Sequence, residues 1–161
     1  MPAQFRTANF PWNFFDALAA TEDFANGWYP LGLYVSSDKD LEPAHRELVI
    51  LRVAQLSGAD YLRAQHTPIA TALGVSAADI ARAAQGPDAP GWTPLTQGLV
   101  RATDELFAHQ CISDATLATL GQSLDRAAVI KVVATVGLYM LNAMFVQTFA
   151  APESGGTNAK P

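Results

Sequence analysis

Glu47 and His66 stand nineteen residues apart in two consecutive segments of helical character, ELVILRVAQLSG and ADYLRAQHTPIATALG. The residues that follow Glu47 are apolar, so its carboxylate is headed for a low-dielectric place. There it must take up a proton or find a partner, and an imidazole, whose ordinary titration lies near neutrality, is a natural one. The chemistry such a pair offers is proton transfer: His66 moves the proton while Glu47 orients the ring and compensates its charge. Tyr61 precedes His66 by five residues, about 140° around a helix, so the two flank a face rather than stack on it. As a hydroxyl donor it suits a developing oxyanion or enolate. Arg63 is a cation able to hold a substrate carboxylate, and Arg46 and Arg52 are further candidates for that role. The alternative is that Glu47 and His66 form a buried structural pair, with each other or with these arginines.

The elements that must position these residues are helical, for no strand alternation is sustained along the chain. A first helix is expected over residues 11–24, opened by Pro11, with Trp12, Phe15 and Leu18 on one face. Residues 27–37 read as irregular because Pro30 and Gly32 interrupt them. Pro43 suits the first turn of a helix running to Ser57 and closed by Gly58. Asp60 is a candidate cap for the next, which ends at Gly74 and contains Pro68. The proline leaves the Ala64 carbonyl without a donor and opens the turn beside His66. Ser76 with Asp79 suits the start of helix 77–84, QGPDAPGW is a loop, and helices follow at 94–109 and 114–122, the latter capped by Ser113. Asp125 begins a long apolar helix. The prediction is an all-α domain of about seven helices over residues 1–151. A polar tail at 152–161 reads as disordered.

The remaining composition narrows the function. Half of the 161 residues are hydrophobic and only 16% charged, an apolar excess that predicts a subunit interface. A net charge of -5 without a basic cluster argues against nucleic acid as a partner. Residues 127–146, AAVIKVVATVGLYMLNAMFV, are long enough to span a bilayer. Lys131 and Asn142 interrupt them and no basic flank sets an orientation, so a buried helix at an oligomer core, and no membrane, is expected. A single cysteine, Cys111, excludes an internal disulfide and suits a reducing cytoplasm. No secretory signal is apparent at the N-terminus.

His45, Glu47 and His66 lack the His-x-x-x-His or Glu-x-x-His spacing of a metal site. No metal or other cofactor is therefore expected. Cys111, two residues after His109 at an expected helix end, reads as an inert thiol, since a helix C-terminus disfavours the thiolate. The aromatics Trp28 and Tyr34, with Trp12, Phe14, Phe15 and Tyr29, are candidates to wall a pocket for an apolar or aromatic ligand, and otherwise belong to the core. Asp104 and Glu105 are adjacent on a helix and point apart, one toward solvent and one toward another helix.

The run RELVILRVAQLSGADYLRAQHTPIATALGVSAADI resembles the core of the carboxymuconolactone decarboxylase family, which includes the alkyl hydroperoxidase D (AhpD) proteins. The later run GWTPLTQGLVRATDELFAHQCISDATLATLGQSL resembles the downstream part of one subgroup. The likeness covers roughly residues 41–150. It implies an AhpD-like helical bundle assembled as a homotrimer or homohexamer. In that subgroup a Tyr-Glu-Trp triplet precedes the histidine, where this sequence has Tyr61-Leu62-Arg63. Peroxidase members carry a Cys-x-x-Cys pair ahead of the histidine, and those positions fall on Ala59 and Leu62. A thiol peroxidase needs a thiolate nucleophile, and the motif supplies none. The resemblance therefore implies cofactor-free decarboxylase, lyase or isomerase chemistry on a small cyclic or aromatic-derived organic acid, carried by His66, Glu47 and Tyr61, with Arg63, Trp28 and Tyr34 about the substrate. The alternatives are a redox relative with little or no peroxidase activity, and a non-catalytic small-molecule-binding oligomer.

Overall fold

The computed structural model describes residues 21–149. Seven helices lie among them: α1 (Glu22–Ser36), α2 (Pro43–Leu56), α3 (Asp60–Ala72), α4 (Ala77–Gln85), α5 (Pro94–His109), α6 (Asp114–Leu120) and α7 (Arg126–Phe149), with no strand among the described residues. The chain is all-α. Trp12, Phe14, Phe15, Leu18 and most of the expected helix 11–24 lie outside the described residues, as does the expected tail at 152–161.

The first helix observed runs through the stretch expected to be irregular. Pro30 lies within α1 on its exposed side together with Asn26, whose carbonyl the proline cannot serve, and exposure keeps the cost of that missing donor low. Gly32 turns inward with Ala25 and Val35, and packing against α7 overrides local propensity. Pro68 is likewise carried inside α3. Both it and Ala64 are exposed, so the freed carbonyl opens to water. Asp60 does not cap α3: the N-cap is Ala59, and Asp60 accepts from Arg63 in the first turn. The signals at α4 to α6 are as read, with Ser76 and Ser113 capping by side-chain hydrogen bonds. Thr93 and Thr96 add a reciprocal capping box ahead of Pro94.

Helix α2 is the centre of the molecule. Nine consecutive residues, Arg46 to Ala54, are buried, so the helix is enclosed around its whole circumference by α3, α4, α5 and α7. Val49 and Val53 join Leu99, Ala102, Leu106, Leu120, Val132 and Val136 in the main core. Leu48 and Leu51 pack with Ala70, Val75 and Ala83 on the α4 side. Enclosure keeps Arg46, Glu47 and Arg52 largely out of solvent, so each is paired inside.

Arg52 shows how. Its Nε and Nη2 donate to the two carboxylate oxygens of Asp104 at 2.6 and 2.8 Å, while Nη1 donates to the carbonyls of Ala83 and Ala84 at 3.1 and 3.2 Å. One guanidinium thus fastens α2 to α5 and to the end of α4. Asp104 is the interhelical member of its acidic pair, and Glu105 is not simply solvated. It accepts from the Ser113 N–H at 2.8 Å and from the Ser113 and Thr116 hydroxyls at 2.9 and 2.8 Å, tying α5 to the start of α6. Burial opposes its ionisation, but these bonds outweigh it and hold the carboxyl below its ordinary value.

Breaking a buried pair by deleting one member costs roughly 3–5 kcal/mol. Asp104 keeps 28% of its side-chain exposure, so Arg52→Met is expected to cost less, about 2–3 kcal/mol in urea unfolding. A loss under about 0.5 kcal/mol, the range of an ordinary surface change, would count against Arg52 as the clamp.

Candidate active site

The turn between α2 and α3 folds one helix back on the other. Gly58 takes φ +62° there, a conformation that costs a side-chain-bearing residue. The reversal sets His66, on α3, against Glu47, on α2. Nδ1 of His66 lies 2.7 Å from Oε2 of Glu47. A carboxylate only accepts, so Nδ1 is the nitrogen that donates within the pair, and Nε2 is the nitrogen outside it. Nε2 has no hydrogen-bond partner among the described residues. The Glu47 side chain is 3% exposed and that of His66 14%, which places the carboxylate in the interior and the ring at its margin.

The second carboxylate oxygen is held as well. Arg46 Nε donates to Glu47 Oε1 at 3.3 Å, and Arg46 Nη1 donates to the carbonyls of Ser36 and Ser37 at 2.8 and 3.4 Å. Those carbonyls end α1, where the helix dipole favours a cation. Lys131 of α7 converges on the same end, donating to the carbonyls of Ser37 and Lys39 and, at 2.9 Å, to the Ser37 hydroxyl. Its ammonium lies 5.3 Å from the centre of the Tyr34 ring. Burial, and then the charge of Arg46, lower the Lys131 pKa from its ordinary value. A continuous polar chain therefore runs through the interior: His66, Glu47, Arg46, the end of α1, Lys131.

Against His66 stands a residue that sequence reasoning passed over. The Tyr139 ring, from α7, meets the imidazole edge-on with centres 5.0 Å apart. Burial pushes its phenol above the ordinary value and the Glu47 charge adds to that, so the group stays a neutral donor. Its signal in the sequence was periodicity. Lys131, Thr135, Tyr139 and Asn142 follow helical spacing inside the apolar run and mark one polar stripe.

The other expected site residues are placed as follows. Tyr61 packs with Ala54, Ala59, Leu62, Ala143 and Val146 and makes no hydrogen bond among the described residues. Arg63 is one turn from His66 on α3 but exposed, its Nη2 2.6 Å from Asp60 Oδ1. Trp28 donates from Nε1 to Asn142 Oδ1 at 3.0 Å. It also lines an open cleft of about 240 Å³ with Phe24, Gly27, Leu31, Leu138 and Leu141. Tyr34 belongs to the Lys131 end of the chain. A second cleft, of about 390 Å³, lies by Arg52, Arg101, Asp104 and His109. Neither cleft is lined by Glu47 or His66. His45 pairs with Glu42 at 3.3 Å in the first turn of α2. No group of three or more His, Cys, Asp or Glu is placed to hold a metal among the described residues. Cys111 is exposed beyond the end of α5, and Ala59 and Leu62 are buried.

The model of the carboxymuconolactone decarboxylase family matches residues 22–105, just over half of the chain. The chain belongs to the carboxymuconolactone decarboxylase family. The matched stretch contains Glu47 and His66 and ends before α7, so Tyr139 and Lys131 lie beyond what defines the family match. A solved structure from Agrobacterium tumefaciens, of a protein of unknown function provisionally designated an antioxidant-defence AhpD protein, shares the fold with a TM-score of 0.74 at 18% identity. The likeness covers 89% of this chain and 99% of that one. No curated protein matches the sequence. This family member thus has an AhpD-like all-helical fold with a Glu–His pair in it and no cysteine at the two motif positions.

Trp28 reaches Asn142 because Gly32, one turn on, has no side chain. A Cβ there would lie 2.7 Å from the indole ring. In an open helix Gly→Ala gains about 1 kcal/mol, but overpacking costs about 1–3 kcal/mol. Gly32→Ala is therefore expected to lower Tm and to change the near-UV signal as the indole leaves Asn142. A raised Tm with an unchanged signal would show that the indole does not occupy this position.

Proposed function

We propose that this chain is a cofactor-free acid–base enzyme of the decarboxylase-like type, acting on a small cyclic or aromatic-derived organic acid. The observation that supports the reading is the 2.7 Å contact of Glu47 with His66 Nδ1, which leaves Nε2 as the proton-handling atom. Arg46 shares the Glu47 charge and restrains the carboxylate from moving with the imidazole. In a decarboxylation the bond to the carboxylate breaks and carbon dioxide leaves. The electron pair passes into the adjacent carbonyl as an enolate, and the carbon then takes a proton from imidazolium Nε2. Solvent restores that proton. Arg63, one turn away, is the proposed holder of the substrate carboxylate. Its surface pair with Asp60 is worth at most about 1 kcal/mol, so a substrate anion displaces it at low cost.

The thiol alternative has less support. A relay of this kind serves a peroxidase only if it feeds a thiolate, and the motif positions hold Ala59 and Leu62. With carboxy-lactones and β-keto acids as substrates, carbon dioxide release is expected to fall about 10²- to 10⁴-fold in His66→Gln and by a similar factor in Glu47→Gln. Hydroperoxide consumption with a dithiol reductant should be negligible in wild type and in Cys111→Ser alike. Peroxide turnover abolished by Cys111→Ser, with no carbon dioxide released, would replace this reading with the redox one. Saturable ligand binding without turnover would leave a binding protein.

We also propose a homo-oligomer, with a second copy of the chain as the partner of α7. Ile130, Val133, Leu141 and Met144 are exposed at positions that recur on one side of that helix. The helix has the length and apolarity to cross a membrane, but its buried face carries Lys131 and Asn142. Light scattering coupled to size exclusion should give a trimer or hexamer, and Val133→Glu with Met144→Glu should reduce it to monomer. A wild-type monomer at micromolar concentration would refute this.

A further inference from the structure

Helix α7 turns a stripe of four polar side chains, Lys131, Thr135, Tyr139 and Asn142, toward α1, α2 and α3. Three of them are occupied by the protein. Lys131 donates to the end of α1, the Thr135 hydroxyl donates to the Lys131 carbonyl at 2.7 Å, and Asn142 accepts from Trp28. Tyr139 is the exception. Its ring is held edge-on against His66 and packed on the cluster of Ala54, Ala59, Leu62, Ala143 and Val146, yet its hydroxyl has no hydrogen-bond partner among the described residues. A half-buried phenol usually finds a partner, and a polar group held rigid beside a proton-handling imidazole is positioned to serve a bound molecule.

We propose that Tyr139, rather than Tyr61, is a catalytic residue, donating its hydroxyl proton in a hydrogen bond to the oxygen that gains charge as the enolate forms. This inference rests on the acid–base reading above. The division of labour is simple: His66 Nε2 delivers the proton to carbon, and Tyr139 keeps its own while stabilising oxygen, so no net transfer from the phenol is needed. A phenol whose ionisation is disfavoured by burial and by the Glu47 charge remains a donor throughout. Tyr61 packs in the same cluster but has no ring contact with the imidazole among the described residues.

The test compares Tyr139→Phe, Tyr61→Phe and His66→Gln for carbon dioxide release from the same carboxy-lactone and β-keto acid panel. Tyr139→Phe preserves the ring and should lower kcat about 10²- to 10³-fold, the loss typical of one oxyanion donor, with KM and Tm nearly unchanged. Tyr61→Phe should stay within a few-fold of wild type. Fluorinating the Tyr139 ring, which keeps the hydroxyl and strengthens it as a donor, should change kcat, whereas fluorinating Tyr61 should not. If His66→Gln is impaired while Tyr139→Phe is not, the tyrosine assignment fails and the acid–base reading stands. A larger loss in Tyr61→Phe returns the role to that residue. If wild type turns over none of the panel, or His66→Gln is fully active, the acid–base reading fails and the Tyr139 role with it.

Discussion

One buried carboxylate organises this protein. Glu47 sits on a helix enclosed on every side, where an unpaired charge would cost several kcal/mol. It is tolerated because each oxygen has a donor: His66 at 2.7 Å and Arg46 at 3.3 Å. Arg46 is in turn spent on the carbonyls that close α1, and Lys131 shares them. Satisfying Glu47 therefore fixes where α1 ends, how α7 lies against it, and which way the His66 ring faces. Remove the carboxylate and Arg46 loses its compensating charge while His66 loses its tautomeric bias. Position and chemistry depend on the same contact.

Much of this is legible in the sequence. The Glu47–His66 partnership follows from a carboxylate in an apolar run followed by an imidazole on the returning helix, and the Gly58 turn that joins them is visible as a helix stop. The caps at Ser76 and Ser113 are local signals, which is why they read correctly. Pro30 misled because its orphaned carbonyl belongs to an exposed residue and exposure is not written in the local sequence, whereas Pro68 was read inside its helix and lies there. Asp60 misled for a related reason: a carboxylate at a helix start can cap or pair, and Arg63 three residues on captured it. Tyr139 is distant from His66 in sequence. Only the packing of α7 against α3 joins them, and spacing within one segment does not reveal it.

Helix α7 reconciles two readings that looked opposed. Its mean apolarity is that of a membrane span, yet its interior face carries buried Lys131, Thr135 and Asn142. Lys131 and Asn142 cannot face lipid without large cost, and here each spends its hydrogen bonds inside the domain. What remains outward is Ile130, Val133, Leu141 and Met144, an apolar surface without polar anchors. The helix is apolar on average because its outward face is largely apolar and its buried positions are polar only at Lys131, Thr135 and Asn142, which pair inside the domain.

The absence of thiols at Ala59 and Leu62 gives this geometry its meaning. In a relay that ends on a cysteine, the imidazole's task is complete once a thiolate is formed, and no further donor is required beside it. Here Nε2 has no hydrogen-bond partner among the described residues, so any proton it carries is exchanged with a bound molecule or solvent. A proton delivered to carbon must be matched by charge stabilisation on oxygen, or the intermediate is too costly to form. The Tyr139 ring is held against the imidazole, and burial keeps its phenol neutral. On the acid–base reading proposed above, His66 is the proton donor, Glu47 the orienting carboxylate and Tyr139 the oxyanion donor, a set that needs no cofactor.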